Sequence, residues 1–101
     1  MRKLKLKNWL KKVKNYYETL RYLRENKMVG IPTIDDNFFS NLIDFLNVIC
    51  FAPKRFYVLY IEHYCKGRTF KEISEELDYS CTQIYNIHKA FLEWLVLNFK
   101  I

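Results

Sequence analysis

The chain has 101 residues, of which half are apolar, and it carries 17 Lys and Arg against 11 Asp and Glu. This length excludes a large multidomain enzyme. Only two Gly and two Pro are present, a composition that disordered and collagen-like chains do not have. No run of residues approaches the roughly 20 apolar positions of a membrane-spanning helix, and the basic start has no apolar segment of a secretory signal behind it. We therefore expect a soluble, cytoplasmic protein.

The cysteines and histidines give little sign of a metal or redox site. Cys50, Cys65 and Cys81 are odd in number, widely spaced and without a Cys-x-x-Cys pair, so we interpret them as reduced thiols. The metal-like pairs are His63 with Cys65 and Cys81 with His88, whereas a zinc site needs four convergent ligands. The acids have no visible nucleophile partner. No metal, other cofactor or enzymatic activity is expected.

Positive charge is concentrated at the N-terminus. Residues 1–30 carry ten basic and two acidic side chains, residues 31–53 three acids and no base, and residues 54–101 seven bases and six acids. A basic stretch such as Arg2 to Lys14 attracts polyanions, and nucleic acid is the usual polyanion in a cytoplasm. The alternatives are a merely solvated helix face or an anionic lipid surface, for which Trp9 is a weak cue.

The first predicted element is a long amphipathic helix from Leu4 to about Asn26. Its apolar residues recur at three- and four-residue spacing: Leu6, Trp9, Leu10, Val13, Tyr17 and Leu20. This stripe packs either on the rest of the domain or on a second copy, which would make a homodimer. Gly30 and Pro32 predict a connection, so the chain divides into a basic N-terminal helix (1–30) and a helical domain (31–101).

Two further helices are predicted in the middle of the chain. The stretch Asp35 to Asn37 supplies N-cap oxygens for a largely buried second helix, which should stop before Ala52 because that residue precedes a proline. Pro53 suits the first turn of a third helix, and Gly67 ends it.

The C-terminal part predicts two helices joined by a tight corner. Thr69 and Glu72 have the spacing of a capping box for the fourth helix. Asp78 tolerates the left-handed backbone of a short corner, and Ser80 caps a fifth helix that runs from about Cys81 to Phe99. Since nothing in the chain alternates with period two, the fold class is all-α, with a helix-turn-helix at about residues 69–97.

The fifth helix has two distinct faces. Its core stripe consists of Ile84, Ile87, Phe91 and Leu95. Small and hydrogen-bonding side chains lie roughly opposite, near the N-terminus, which is the part that enters the DNA major groove in a helix-turn-helix: Thr82, Tyr85, Asn86 and Lys89.

The stretch from Ala52 to Leu95 resembles region 4 of bacterial sigma factors. Pro53, Arg55, Val58, Leu59 and Tyr64 to Gly67 match one helix of that module, and Thr69 to Ser80 matches its "T-x-x-E-I-A-x-x-L-G-x-S" element. With a basic N-terminal helix added, the whole chain is similar to phage and prophage transcriptional activators of the ArpU and RinA type. It lacks the other regions of a full sigma factor.

The resemblance implies double-stranded DNA as the partner and assigns two sets of contacts. Base contacts fall on Cys81, Thr82, Tyr85 and Asn86. Phosphate contacts fall on Arg68, Thr69, Lys71, Gln83 and Lys89. Cys81, Thr82 and Tyr85 stand where sigma factors usually carry Arg or Glu, and Asp78 replaces the commoner Gly. Since the module is nearly neutral, we expect the basic N-terminal segment, with Lys11, Lys12 and Lys14, to supply further phosphate contacts, unless dimerisation supplies the affinity.

The sequence therefore predicts a sequence-specific DNA-binding transcriptional regulator, encoded by a phage or prophage. The alternative is a protein-interaction module that binds host RNA polymerase or another regulator, for example as a phage inhibitor, without specific DNA binding.

Overall fold

The computed structural model describes residues 2–28 and 35–100, and every regular element within them is helical. The prediction of an all-α fold is confirmed. The helices are α1 (Arg2–Glu25), α2 (Asp36–Ile49), α3 (Lys54–Leu59), α4 (Phe70–Leu77) and α5 (Cys81–Asn98). None of them combines the length and apolar character of a membrane span. The predicted connection at Gly30 and Pro32, and the boundary between residues 30 and 31, lie outside the described residues.

The apolar stripe of α1 is buried against its own chain. Trp9 lies with its ring centroid 5.0 Å from that of Phe45 in α2 and 5.0 Å from that of Phe99, which follows α5. Leu10 and Val13 are almost completely buried in the same core. Of the two partners that the sequence left open for this stripe, the structure has the rest of the domain.

Helix α2 begins and ends close to where the sequence predicted. The Asp35 carboxylate accepts a hydrogen bond from the backbone N–H of Phe38 at 2.6 Å and so caps the helix. The helix ends at Ile49, and the carbonyl of Ile49 accepts the N–H of Ala52 at 3.0 Å in the turn that leads to α3.

The third helix has an irregularity that the sequence did not predict. Pro53 is its N-cap, but the α-helical part covers only Lys54–Leu59 before the backbone widens into a π-helical segment, Tyr60–Cys65. The Lys66 N–H, for example, donates to the Ile61 carbonyl five residues back at 2.9 Å. Such π-bulges rotate the following side chains and are frequent at functional sites.

This π-helical segment is joined to α1 by two polar contacts. The hydroxyls of Tyr17 and Tyr60 are 2.8 Å apart. The Arg21 guanidinium donates to the Cys65 carbonyl and lies where a Cβ atom on Gly67 would stand. Gly67 has φ +72°, the left-handed conformation of the helix terminator predicted there. Because it has no side chain, it also leaves room for the guanidinium of Arg21.

Helices α4 and α5 are capped at both of their N-termini. The Thr69 hydroxyl accepts the Glu72 N–H at 3.1 Å and the Glu72 carboxylate accepts the Thr69 N–H at 3.1 Å, which confirms the predicted capping box. Asp78 adopts φ 60° and ψ 36°, the left-handed conformation predicted for the corner. Ser80 caps α5 as predicted, and Gln83 completes a second capping box there. The two caps fix the register of α5 relative to the corner.

Candidate nucleic-acid interface

The outward face of α5 is open to solvent. Thr82, Tyr85, Asn86 and Lys89 are all exposed, and the Tyr85 side chain is 61% exposed. On the opposite side Ile84, Phe91 and Leu95 are buried and Ile87 is half-buried. Although α1 packs against α5, it leaves this face uncovered.

Cys81 lies at the closest approach of α4 and α5. Its Sγ is 3.5 Å from the Oγ of Ser74, a side chain only 5% exposed whose hydroxyl donates to the Lys71 carbonyl at 2.7 Å. A small side chain at this position lets the two helices approach each other. Cys81 therefore belongs partly to the α4–α5 contact and partly to the exposed N-terminal tip.

The exposed Tyr85 ring is held by an aromatic cluster that reaches back to the third helix. Its centroid is 5.0 Å from that of Phe70, with the two rings nearly perpendicular. The Phe70 ring in turn lies 4.4 Å from His63 and 5.0 Å from His88. Because Phe70 packs on three rings at once, Tyr85 projects from a fixed base.

Both histidines of this cluster are held in the neutral form. Burial lowers the pKa of His88 to about 4. The charge that His63 carries when it is protonated, and the charge of Lys7, lower it in the same direction. The Nε2 atom of His88 is 2.7 Å from the Tyr64 hydroxyl. Burial also lowers the pKa of His63, a hydrogen bond to a backbone carbonyl partly opposes this, and the charge of Lys14 lowers it further. Lys7 and Lys14 of α1 are therefore close enough for their charges to act on the cluster.

The lysines of α1 divide into two sets on different sides of the helix. One set spans about 80° at 100° per residue and includes the two lysines that act on the histidines; we call it the basic stripe, consisting of Lys3, Lys7, Lys11 and Lys14. Lys5 and Lys12 lie about 100° to 180° away from its members. Of the three lysines predicted to hold phosphates, Lys11 and Lys14 belong to the basic stripe and Lys12 does not.

The predicted phosphate contacts near α4 differ in their availability. The Arg68 guanidinium pairs with the Glu62 carboxylate at 3.4 Å and with the Glu76 carboxylate, so a phosphate would have to compete with two acids. Lys71 and Lys89 are exposed, and no ion pair of either is present among the described residues.

Thr69 and Gln83 have their side chains in the helix caps. The Thr69 hydroxyl is hydrogen-bonded to Glu72, and the Gln83 carboxamide oxygen accepts the Ser80 N–H at 2.7 Å. The carboxamide nitrogen of Gln83 is left to reach a phosphate.

The structure also locates the remaining candidate ligands. All three cysteines are free thiols. Within residues 2–28 and 35–100, no cluster of three or more His, Cys, Asp or Glu side chains could hold a metal ion.

Sequence reasoning missed the basic stripe and the aromatic cluster. The whole stretch Arg2 to Lys14 was expected to attract polyanions, but its lysines were not divided between sides of the helix. The spacing of Lys3, Lys7, Lys11 and Lys14 follows one side and could have been recognised. The contact of Phe70 with His63 joins separate helices, and no local pattern predicts it.

Comparison of the chain with protein-family models, with curated proteins and with solved structures found no match in any of the three. The functional argument therefore depends on the residues and their geometry.

Proposed function

We propose that the protein is a sequence-specific DNA-binding transcriptional regulator of a phage or prophage, with α5 in the major groove and the basic stripe on the phosphate backbone. The observation that carries this proposal is the solvent-exposed polar face of α5, with Thr82, Tyr85 and Asn86 near its N-terminus. The lysines of α1 support it, because the charges of Lys7 and Lys14 act on the two histidines of the aromatic cluster that contacts Tyr85.

The division of charge between these features supports such a binding mode. Residues 54–101 carry seven bases and six acids, and Arg68 is already paired with acids. The α4–α5 pair alone therefore has little net attraction for phosphates. Each phosphate neutralised by a lysine releases a counterion and makes affinity depend on salt. In this binding mode the basic stripe of α1 supplies the salt-dependent attraction to phosphates that the α4–α5 pair lacks.

The types of side chain on α5 suit base reading. Asn86 is exposed, and a carboxamide can pair bidentately with adenine N6 and N7. Thr82 and the fixed Tyr85 ring present apolar edges that a thymine methyl group can contact. Cys81 reaches the same groove from the helix tip. This assignment of base contacts follows the resemblance to sigma region 4 and to activators of the ArpU and RinA type.

The proposal is tested by selecting bound sequences from random duplexes and then measuring affinity across a salt series. We expect Asn86→Ala to weaken binding of the selected duplex by about 1 to 3 kcal/mol and to leave binding of unrelated duplexes unchanged. The double variant Lys7→Ala with Lys14→Ala should weaken binding of the selected duplex and of unrelated duplexes. It should also reduce the magnitude of the slope of log K against log salt by about 1 to 2.

A matched control is available on the same helix. Lys5→Ala with Lys12→Ala removes the same charge from the other side of α1 and should change the salt slope much less. Equal effects of the two double variants would reduce the basic stripe to a general electrostatic contribution. A selection that enriches no sequence would contradict base reading by α5.

One observation favours a second candidate function, that of a module that binds RNA polymerase or another regulator. An open groove of about 420 Å³ lies between α3, α4 and α5, with an apolar floor that includes Leu77 and Ile87 and a basic rim of Lys54 and Arg55. A partner that remains bound in a pull-down after nuclease treatment, and is lost on Leu77→Glu, would support this candidate.

A further inference from the structure

The outer face of α2 carries an apolar stripe that is largely exposed among residues 2–28 and 35–100. Phe39, Ile43, Leu46 and Cys50 lie within about 60° of one another at 100° per residue. Phe39 is 53% exposed and Ile43 44%, Cys50 is exposed and Leu46 half-buried. Beyond the helix, Phe51 adds a side chain that is 87% exposed. We call Phe39, Ile43, Leu46 and Cys50 the α2 stripe.

The spacing of the α2 stripe is that of a helix–helix seam. Its residues are separated by four, three and four positions, which is the alternation of the apolar positions of a coiled coil. The core-facing side of α2 is separate and is formed by Leu42, Phe45 and Ile49. The helix thus has one apolar side for its own domain and a second of similar width, whose spacing is that of a contact with another helix.

The negative charge around the α2 stripe disfavours nucleic acid as its partner. Residues 31–53 contain three acids and no base, in a chain that is otherwise basic. Asp35 and Asp36 lie at the start of α2, whereas Lys54 and Arg55 follow its end after a four-residue turn and are both exposed. In an antiparallel pair, the acidic start of each α2 helix lies at the end from which the basic segment of the other copy follows. In a parallel pair the two acidic starts lie together.

We propose that the α2 stripe is a homodimer seam in which two α2 helices pack antiparallel about a two-fold axis. Such an axis makes the contact self-complementary. Its centre falls between Ile43 and Leu46, so that Ile43 of one copy faces Leu46 of the other and the large Phe39 faces the small Cys50. This seam is distinct from the stripe of α1, and its existence does not depend on DNA binding.

The seam is short, and this sets the expected strength of the dimer. A 14-residue helix is about 21 Å long, and the contact it offers falls short of the roughly 800 Å² per partner of a standard stable interface. We therefore expect a dissociation constant in the micromolar range.

The first test is sedimentation equilibrium of the protein without DNA, at concentrations from about 1 to 200 µM. The wild-type chain should shift from monomer to dimer, and Ile43→Glu should raise the dissociation constant at least about tenfold. Asn37→Glu adds the same charge to the same helix, about 120° or more from the stripe, and should leave association unchanged. Circular dichroism verifies that both variants stay folded.

The second test fixes the direction of the two helices. In Phe39→Cys, mild oxidation should link position 39 of one copy to Cys50 of the other, as identified by peptide mass mapping. Asn37→Cys should give no such link. A chain that stays monomeric at 200 µM, a dimer indifferent to Ile43→Glu, or a wild-type link between two Cys50 residues would each overturn the antiparallel seam. Capture of a different protein by a chain that remains monomeric would overturn it as well.

Discussion

Helix α1 and the α4–α5 pair contribute opposite properties to the proposed interface. The α4–α5 pair presents a well-defined helix face that carries little net charge. Two capping boxes, a left-handed corner and the contact at Ser74 hold this face in place. Helix α1 has charge in a stripe of lysines but no groove-reading face of its own. The comparison teaches that a small domain can place its electrostatic attraction and its specificity on elements far apart in sequence, provided that packing brings them together.

The largest expected effect concerns the join between these two regions. His88 has a pKa of about 4 in the folded protein, whereas a histidine in the unfolded chain has a pKa of about 6.5. Between these two values His88 is protonated in the unfolded state and neutral in the folded state. The unfolded state then binds more protons, so stability is complete above about pH 6.5 and is lost as the pH falls towards 4. We expect the free energy of unfolding to drop by about 2 kcal/mol between pH 8 and pH 5. Denaturant titration at several pH values measures it.

The variant His88→Gln separates this effect from ordinary acid unfolding. It keeps a hydrogen-bond partner for the Tyr64 hydroxyl but cannot titrate, so most of the loss between pH 8 and pH 5 should disappear, with His63 supplying a remainder of the same sign. Glu72 does not interfere, since hydrogen bonds from Thr69 lower its pKa and its contribution is lost only below about pH 4.5. An unchanged pH profile would disprove the role of His88.

An effect of similar size is expected within the α4–α5 pair itself. Ser74→Leu forces a larger side chain between the two helices and should lower the free energy of unfolding by about 2 kcal/mol. Ser74→Ala leaves the space between the helices unchanged. It removes the hydrogen bond to the Lys71 carbonyl and the weaker contact with Cys81 Sγ, and should cost about 0.5 to 1 kcal/mol.

The Ser74 variants also sharpen the comparison of the two regions. Under conditions where Ser74→Leu is folded, it should lose preference for the selected duplex while the salt slope supplied by α1 is retained. If the leucine is accommodated without loss of stability, Ser74 does not control the approach of the helices.

The smallest effect is expected at the corner. Asp78 holds a left-handed conformation that glycine adopts without steric cost, so Asp78→Gly should raise the free energy of unfolding by about 0.5 kcal/mol. Asp78→Ala, which has a Cβ atom and no compensating polar group, should lower it. Thermal melts of the two variants measured side by side should shift in opposite directions, and a shift in the same direction would contradict the argument from backbone strain.

How much of this structure the sequence predicts depends on the range of the interaction. Asp35, Thr69 and Ser80 act within three residues of themselves, and their caps were all predicted. The start of the π-helical segment was not, because the widening of a helix at Tyr60 depends on contacts with α1. Periodicity likewise identified the apolar stripe of α1 but could not say what covers it, since burial of a stripe is decided by tertiary packing.

The candidate site follows the same rule. The exposed face with Thr82 and Asn86 was predicted from helical periodicity alone. Its neighbour on α1 was not: which lysines lie beside the histidines depends on how α1 packs across α5, and Lys12, assigned with Lys11 and Lys14 on sequence proximity, lies on another side of the helix.

The contact of Arg21 with Gly67 has a consequence for sequence divergence. The guanidinium fills the volume that any larger residue at position 67 would need, while it holds a carbonyl at the end of the π-helical segment. A side chain at position 67 would displace the guanidinium of Arg21 from this volume, and it would also be strained at φ +72°. In an alignment of homologues, we therefore expect Arg21 to occur together with glycine at position 67.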